Sequence, residues 1–151
     1  MGAGRGGDAE ESTPLIDTNV LVYAFDRTQG KRHIASRRIV QDVFRGEKRG
    51  AVTNQVLAEL YTVLTTRIAR PLKKADAATI VGSIIDGPCW TKLDYTSATV
   101  ADAADLAAHT RCHFWDGLIA RTCLEHGIGL ILTENVKDFP SVPDLVIRTP
   151  W

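Results

Sequence analysis

The chain has 151 residues, 44% hydrophobic and 24% charged, which is typical of a globular protein large enough for one domain with its own core. Its 18 basic and 18 acidic residues give a net charge of zero, so the total charge does not indicate nucleic-acid binding. No apolar stretch reaches the length of a membrane span, and the N-terminal dozen residues lack the apolar centre of a signal peptide. We expect a flexible tail over residues 1–12 and a single domain over residues 13–151.

The three cysteines, Cys89, Cys112 and Cys123, follow no spacing that is typical of a zinc site. Cys123 lies in an apolar helical stretch, which predicts a buried free thiol. An odd number of unpaired cysteines suits a reducing compartment, so we expect a cytoplasmic protein without membrane association.

Short apolar runs alternate with segments of helical periodicity along the chain. PLID at residues 14–17 predicts a buried strand, and VLVYAFD at 20–26 a short helix or turn. Apolar residues recur at helical spacing over residues 33–47. The remaining predicted elements are strands at 51–53, 90–95, 128–133 and within 144–151, and helices from a Thr53 cap to about residue 68, at 74–86, at 97–109 and at 115–126, the last closed by Gly127.

Strands separated by helices predict an α/β fold, with a central, mostly parallel sheet of about four to five strands covered by helices on both faces. In such folds ligands bind beyond the carboxyl ends of the strands. Asp17 ends the first predicted strand, while Thr133 and Asn135 follow the clearest one. We therefore expect these residues to lie at the same edge of the sheet.

Glu59 interrupts an apolar row of its predicted helix. Its neighbours three residues before and four after are Val56 and Val63, so we expect its carboxylate to be partly desolvated. A desolvated acid needs a cation or a hydrogen-bond donor. The alternative is an acid at the edge of the apolar face with its head group in solvent, and the residues alone leave both interpretations open.

Asp116 lies in the first turn of a predicted helix, and its row continues through apolar positions to Cys123. A carboxylate is favoured there by the helix dipole, which makes a capping role one interpretation. A metal ligand at the mouth of a site agrees with both the position and the apolar row. Asn135 and Asp138 come just after a strand and are either loop polarity or further site residues.

Asp17, Glu59 and Asp116 thus lie on three separate elements. Carboxylates brought close together repel one another, and a divalent cation removes that conflict. Oxygen ligands without clusters of His or Cys favour Mg²⁺ or Mn²⁺ over zinc. Such a site suits the hydrolysis of phosphate esters.

The segments LIDTNVLVYAFD, QVLAEL, FWDGLIA and LTENVKDF, in this order, resemble the PIN-domain ribonucleases, and most of all the VapC-type toxins of bacterial toxin–antitoxin modules. The resemblance covers residues 14–148. It implies a PIN-like fold and a Mg²⁺- or Mn²⁺-dependent endoribonuclease. It also implies RNA as the substrate, with a cognate antitoxin and a homodimer as partners.

Carried over position by position, the resemblance places the acids of the family on Asp17, Glu59 and Asp116. It makes Asp17 and Asp116 direct metal ligands, while Glu59 acts through water or as a further ligand. Asn19 and Thr133 then support these ligands.

The last motif of the family falls on Thr133, Asn135 and Asp138. Asn135 stands where many members have Asp, so either Asn135 holds a bound water or Asp138 takes over as a ligand. The predicted catalytic set comprises Asp17, Glu59, Asp116, Asn135 and Asp138.

Other functions fit the sequence less well. A phosphatase of the haloacid dehalogenase type needs an Asp two residues after Asp17, where this chain has Asn19. A dinucleotide enzyme is disfavoured because no GxGxxG motif follows a strand. A catalytically weak or inert PIN scaffold that binds RNA or protein remains the alternative, because Asn135 replaces an acid.

Overall fold

The computed structural model describes residues 12–151, and the predicted tail lies outside this range except for Ser12. The sheet consists of β1 (Leu15–Ile16), β2 (Gly50–Thr53), β3 (Trp90–Leu93), β4 (Leu130–Leu132) and β5 (Val146–Arg148). The strands lie in the order β3-β2-β1-β4-β5, and all four neighbouring pairs are parallel. The predicted α/β fold is confirmed, with five strands in an entirely parallel sheet.

All the predicted helices are present, with their ends shifted by a few residues. The segment at 20–26 is a helix that begins at Thr18, because Asp17 caps it. Among residues 12–151, no helix is both long and apolar enough to cross a membrane. The helices are α1 (Thr18–Phe25), α2 (Lys31–Phe44), α3 (Asn54–Thr66), α4 (Lys74–Asp86), α5 (Ser97–His109) and α6 (Phe114–Glu125), with short 3₁₀ helices at Arg27–Gln29 and Val136–Asp138.

The order of the strands determines where a site can form. The chain runs from β1 outward to β2 and β3, and then returns to the other side of β1 to form β4 and β5. Right-handed crossovers therefore place α1 to α4 on one face and α5 with α6 on the other. In agreement, α1 packs on α2 and α3, α3 packs on α4, and α5 packs on α6. The reversal leaves a crevice at the carboxyl ends of β1 and β4, where ligands bind in this class of fold.

Buried aliphatic side chains hold this crevice in place. Leu15 and Ile16 of β1 are fully buried, as are Ile131 of β4 and Leu60 of α3. Burying a side chain of this kind stabilises the fold by about 1.5–3 kcal/mol. Cys123 is a buried free thiol, as predicted, and burial raises its pKa to about 12. Because Leu15 and Ile16 of β1 are both buried in the core, Asp17, which follows them, is fixed in position.

The turn that leads from α6 into β4 depends on Gly127. This residue has a left-handed φ of 73°, a conformation that costs other residues about 1–2 kcal/mol. Ile128 N–H donates to the Cys123 carbonyl at 2.8 Å, and Gly127 N–H donates to the Leu124 carbonyl at 3.2 Å. The pair of bonds forms a Schellman motif, which ends the helix and turns the chain toward β4. The predicted role of Gly127 in closing this helix is confirmed.

Candidate active site

Asp17 is both a helix cap and the centre of the crevice. It follows β1 directly, and only 7% of its surface is exposed. Its Oδ1 accepts a hydrogen bond from Thr18 N–H at 2.7 Å, which caps α1, and its Oδ2 accepts one from the Thr133 hydroxyl at 2.8 Å. Burial raises the pKa of Asp17, and the nearby charge of Glu59 raises it further, whereas the two hydrogen bonds lower it. The carboxylate is therefore oriented but poorly solvated.

Asn19 and Thr133 join the ends of β1 and β4 around Asp17. The Asn19 side-chain amide donates to Thr133 Oγ1 at 3.3 Å and to Asp17 Oδ2 at 3.5 Å. The side-chain oxygen of Asn19, Oδ1, accepts a hydrogen bond from Glu134 N–H at 3.1 Å. Thr133 is fully buried, and its hydroxyl also accepts from Asn135 N–H at 3.1 Å. Both residues lie against Asp17, and their role in supporting a bound ligand stays a prediction.

Asp116 lies half-buried in the first turn of α6. Burial raises its pKa to about 6, and the negative charges of Asp17, Asp138 and Glu59 add to the rise, while His113 opposes it. The charges of Asp17, Asp138 and Glu59 act on Asp116, so these carboxylates border the same acidic space, although they come from four different segments.

The raised pKa of Asp116 predicts a pH-dependent stability in the absence of divalent cations. Between its ordinary value of 3.8 and about 6, the folded protein keeps a proton that the unfolded chain has lost, so stability falls as the pH rises through this window. Full burial would make the shift worth roughly 3 kcal/mol, and partial exposure reduces this to about 1 kcal/mol. We expect Asp116→Asn to match the wild type at pH 4 and to exceed its stability by that amount at pH 7, measured by urea unfolding in EDTA. An identical difference at both pH values would contradict the coupling.

Glu59 does not have the environment predicted for it. The sequence predicts partial desolvation, but the side chain is exposed at the open edge of the crevice, although Val56 is buried. The two apolar neighbours pack beneath the helix while the longer Glu59 side chain extends past them, as in the alternative interpretation. Its Oε2 accepts from the Thr18 hydroxyl at 3.4 Å, which brings it to the same end of α1 as Asp17.

Gln55 is a site residue that the sequence interpretation missed. Its side-chain amide donates to Glu59 Oε1 at 2.8 Å and to the Trp115 carbonyl at 3.4 Å, and only 7% of its surface is exposed. It thus links α3 to the turn that carries Asp116. The spacing of four residues between Gln55 and Glu59 places both on one helix face. This spacing is the sequence feature from which the role of Gln55 could have been predicted.

The loop after β4 carries three polar residues, Glu134, Asn135 and Asp138, which have different environments. Asn135 and Asp138 are both exposed, and Asp138 closes the short 3₁₀ helix that begins at Val136. Asp138 is close enough to act on the pKa of Asp116. Glu134 points elsewhere, because it forms an ion pair with Arg32 at 2.8 Å and accepts a hydrogen bond from the Tyr23 hydroxyl. Asp138 therefore belongs to the acidic space, and Glu134 does not.

The donor set of this space fits a hard divalent cation. Among residues 12–151, no three side chains of His, Cys, Asp or Glu stand close enough together to hold a metal ion as they are placed. Burial and, to a lesser extent, the neighbouring carboxylates nevertheless raise the pKa of Asp116 and Asp17, so each would gain from a shared positive charge. Carboxylate oxygens are the ligands that Mg²⁺ and Mn²⁺ prefer. A small inward movement of exposed Glu59 or Asp138 is compatible with such a site.

Comparison with known proteins identifies the family and the fold. The family model described as PIN domain matches residues 15–145. A search of curated proteins found no match.

Three solved structures share the fold at 18% sequence identity. A toxin–antitoxin complex from Klebsiella pneumoniae has a TM-score of 0.62 and covers 92% of this chain and 98% of its own. VapC20 from Mycobacterium tuberculosis, a toxin that cleaves the sarcin–ricin loop, has a TM-score of 0.60 and covers 79% and 87%. VapBC2 from Rickettsia felis, bound to a DNA fragment of its promoter, has a TM-score of 0.61 and covers 91% and 98%. At this level of identity the similarity establishes the fold alone.

Proposed function

This chain belongs to the PIN-domain family, and from that membership we propose that it is a divalent-cation-dependent endoribonuclease, the toxin of a toxin–antitoxin module. The observation that carries the proposal is a cluster of acids at the switch point of a parallel sheet: Asp17 is bound by the Thr133 hydroxyl, Glu59 contacts the Thr18 hydroxyl beside it, and burial, with the charges of Asp17, Asp138 and Glu59, raises the pKa of Asp116. Acids that repel one another in an open crevice suit a cation and a phosphate backbone better than an apolar ligand. The proposal predicts that RNA is cleaved in the presence of Mg²⁺ and that EDTA stops cleavage.

The residues have distinct roles in this proposal. Asp17 and Asp116 hold the cation, and Glu59 takes part through water or as a further ligand. When bound, the cation would supply activation of water and stabilisation of the negative charge that develops on the phosphate oxygens. Asn19 and Thr133 keep Asp17 oriented toward the crevice, so they act as positioning residues.

Asn135 and Asp138 remain the two candidates for completing the site. Asp138 already acts on Asp116, which favours it as the additional acid. Asn135 lies on the same loop, and its backbone N–H is held by Thr133. We propose that Asp138 supplies the charge that an acid at position 135 would provide, while Asn135 holds a water molecule.

Titration with Mn²⁺ or Mg²⁺ separates the nuclease from an inert PIN scaffold. At a cation concentration 100 times the Kd, binding stabilises the folded state by about 2.7 kcal/mol. For a chain of this size the Tm is expected to rise by roughly 5–10 °C. The double variant Asp17→Asn/Asp116→Asn is expected to show no rise, and Asp105→Asn on the exposed face of α5 serves as the control. A wild-type Tm that does not respond to either cation would favour the inert scaffold.

The partners follow from the same proposal. Two of the structures with this fold are toxin–antitoxin assemblies, and we propose a cognate antitoxin and a homodimer for this chain as well. An acidic crevice on a protein of zero net charge is complementary to a basic antitoxin segment. The three free thiols suit action in the reducing cytoplasm.

A further inference from the structure

An exposed tryptophan directly precedes Asp116 in the chain. Trp115 is the residue before Asp116, in the first turn of α6, and 58% of its surface is exposed. It takes no part in the hydrophobic core. Single exposed apolar residues are common, and Ile34 on α2 is another, so exposure alone decides nothing. The position of Trp115 next to the acids and the way in which it is held set it apart.

Trp115 is held from two sides. Its backbone carbonyl accepts a hydrogen bond from the Gln55 amide at 3.4 Å, and the same amide binds Glu59 at 2.8 Å. The ring of Phe114 meets the indole edge-on, with 5.1 Å between ring centroids and 74° between planes. The first turn of α6 is therefore tied to the acidic crevice through the backbone of Trp115, and Phe114 packs against one edge of the indole.

The overall charge of the protein favours a non-ionic contribution to RNA binding. The chain has no net charge, and the crevice itself is acidic, so long-range attraction for a polyanion is weak. Two basic residues, Arg111 and His113, lie exposed just before α6, and His113 lowers the pKa of Asp116. Stacking of a base on an aromatic side chain contributes about 1–3 kcal/mol and requires no net charge on the protein.

We infer that Trp115 is a stacking platform for an unpaired RNA base next to the scissile phosphate, an inference that rests on the proposed ribonuclease function. A base stacked on the indole leaves the carboxylates of Glu59 and Asp116 free to bind a cation. Only unpaired bases are available for such stacking.

Steady-state cleavage of a defined looped RNA tests this role. Trp115→Ala is expected to raise KM by about 5- to 150-fold, the equivalent of 1–3 kcal/mol, and to change kcat by less than about threefold. Trp115→Phe keeps an aromatic face and is expected to recover most of the affinity. Trp151→Phe, at another exposed tryptophan, is the matched control and should behave as the wild type. An unchanged KM in Trp115→Ala, or an equal loss in Trp115→Phe, would overturn the inference while leaving the ribonuclease proposal intact.

Fluorescence provides a readout that does not depend on cleavage. In an Asp17→Asn/Trp151→Phe background, the remaining tryptophans are Trp115 and Trp90, which is buried at 2% exposure. We expect a mixed-sequence single-stranded RNA to quench the emission, and an abasic strand with the same backbone to leave it unchanged. Equal quenching by both strands, or none, would exclude stacking even if the wild type cleaves RNA. Loss of dimer or antitoxin binding in Trp115→Ala with unchanged RNA binding would assign the side chain to a protein interface instead.

Discussion

Replacing Asp116 by Asn is expected to lower the rate of RNA cleavage by more than about 100-fold. This loss is larger than the roughly 10- to 100-fold loss that follows when a residue that only orients a metal ligand is replaced. The amide has the same shape but loses the charge that attracts the cation. Without cation, the folded protein should be as stable as the wild type or more stable, because the pKa of Asp116 is raised by burial and by neighbouring acids. The measurement pairs initial rates in Mg²⁺ with urea unfolding in EDTA. Activity and stability are thus expected to change in opposite directions.

The matched control for this experiment is Asp105→Asn. Asp105 is exposed on α5, where it contacts the exposed His109 at 3.5 Å, so the same change of charge there should leave the rate unchanged and alter stability by no more than about 0.5 kcal/mol. A rate for Asp116→Asn within tenfold of wild type would remove Asp116 from the ligand set. Loss of activity accompanied by loss of stability would instead indicate a structural role for this carboxylate.

Replacing Thr133 by Val is expected to reduce cleavage by about 10- to 100-fold, as for other residues that orient a metal ligand. Thr133 is fully buried, and its hydroxyl contacts Asp17, Asn19 and the Asn135 backbone. Valine keeps the shape but leaves Asp17 Oδ2 without its closest donor, which costs about 1–3 kcal/mol of stability. The concentration of Mg²⁺ at half-maximal rate should rise, because Asp17 is no longer held in place.

Thr133→Ser distinguishes positioning from packing at the same site. Serine retains the hydroxyl and loses only a methyl group, so we expect it to keep most of the activity and the wild-type Mg²⁺ dependence. If Ser and Val variants lose activity equally, the contribution of Thr133 is its packing, and the hydrogen bond to Asp17 is irrelevant to catalysis.

The fold and the meeting of Asp17 with Thr133 were predictable because both depend on local patterns. Short apolar runs flanked by helical periodicity specify a parallel sheet, and such a sheet brings the carboxyl ends of its strands to one edge. Asp17 caps α1 through Oδ1 and accepts from the Thr133 hydroxyl through Oδ2, so one carboxylate both begins the helix and faces the crevice.

Contacts between distant segments could not be predicted in the same way. The exposure of Glu59 depends on how α3 is placed relative to the crevice. The apolar positions within α3 do not determine that placement. The link from Gln55 to the Trp115 carbonyl joins residues 60 positions apart and exists only once α3 meets α6. Glu134 stands within the most informative motif, yet its partner Arg32 lies on α2 and draws it away from the site.

Mapping of newly formed RNA ends in total RNA tests the central claim most directly. Wild-type protein in Mg²⁺ is expected to produce a small set of discrete cleavage sites, which disappear in EDTA and with Asp17→Asn purified in parallel. Absence of cleavage by the wild type across total RNA, or the same sites at the same rate with Asp17→Asn, would contradict the assignment of this crevice as a cation-dependent ribonuclease site.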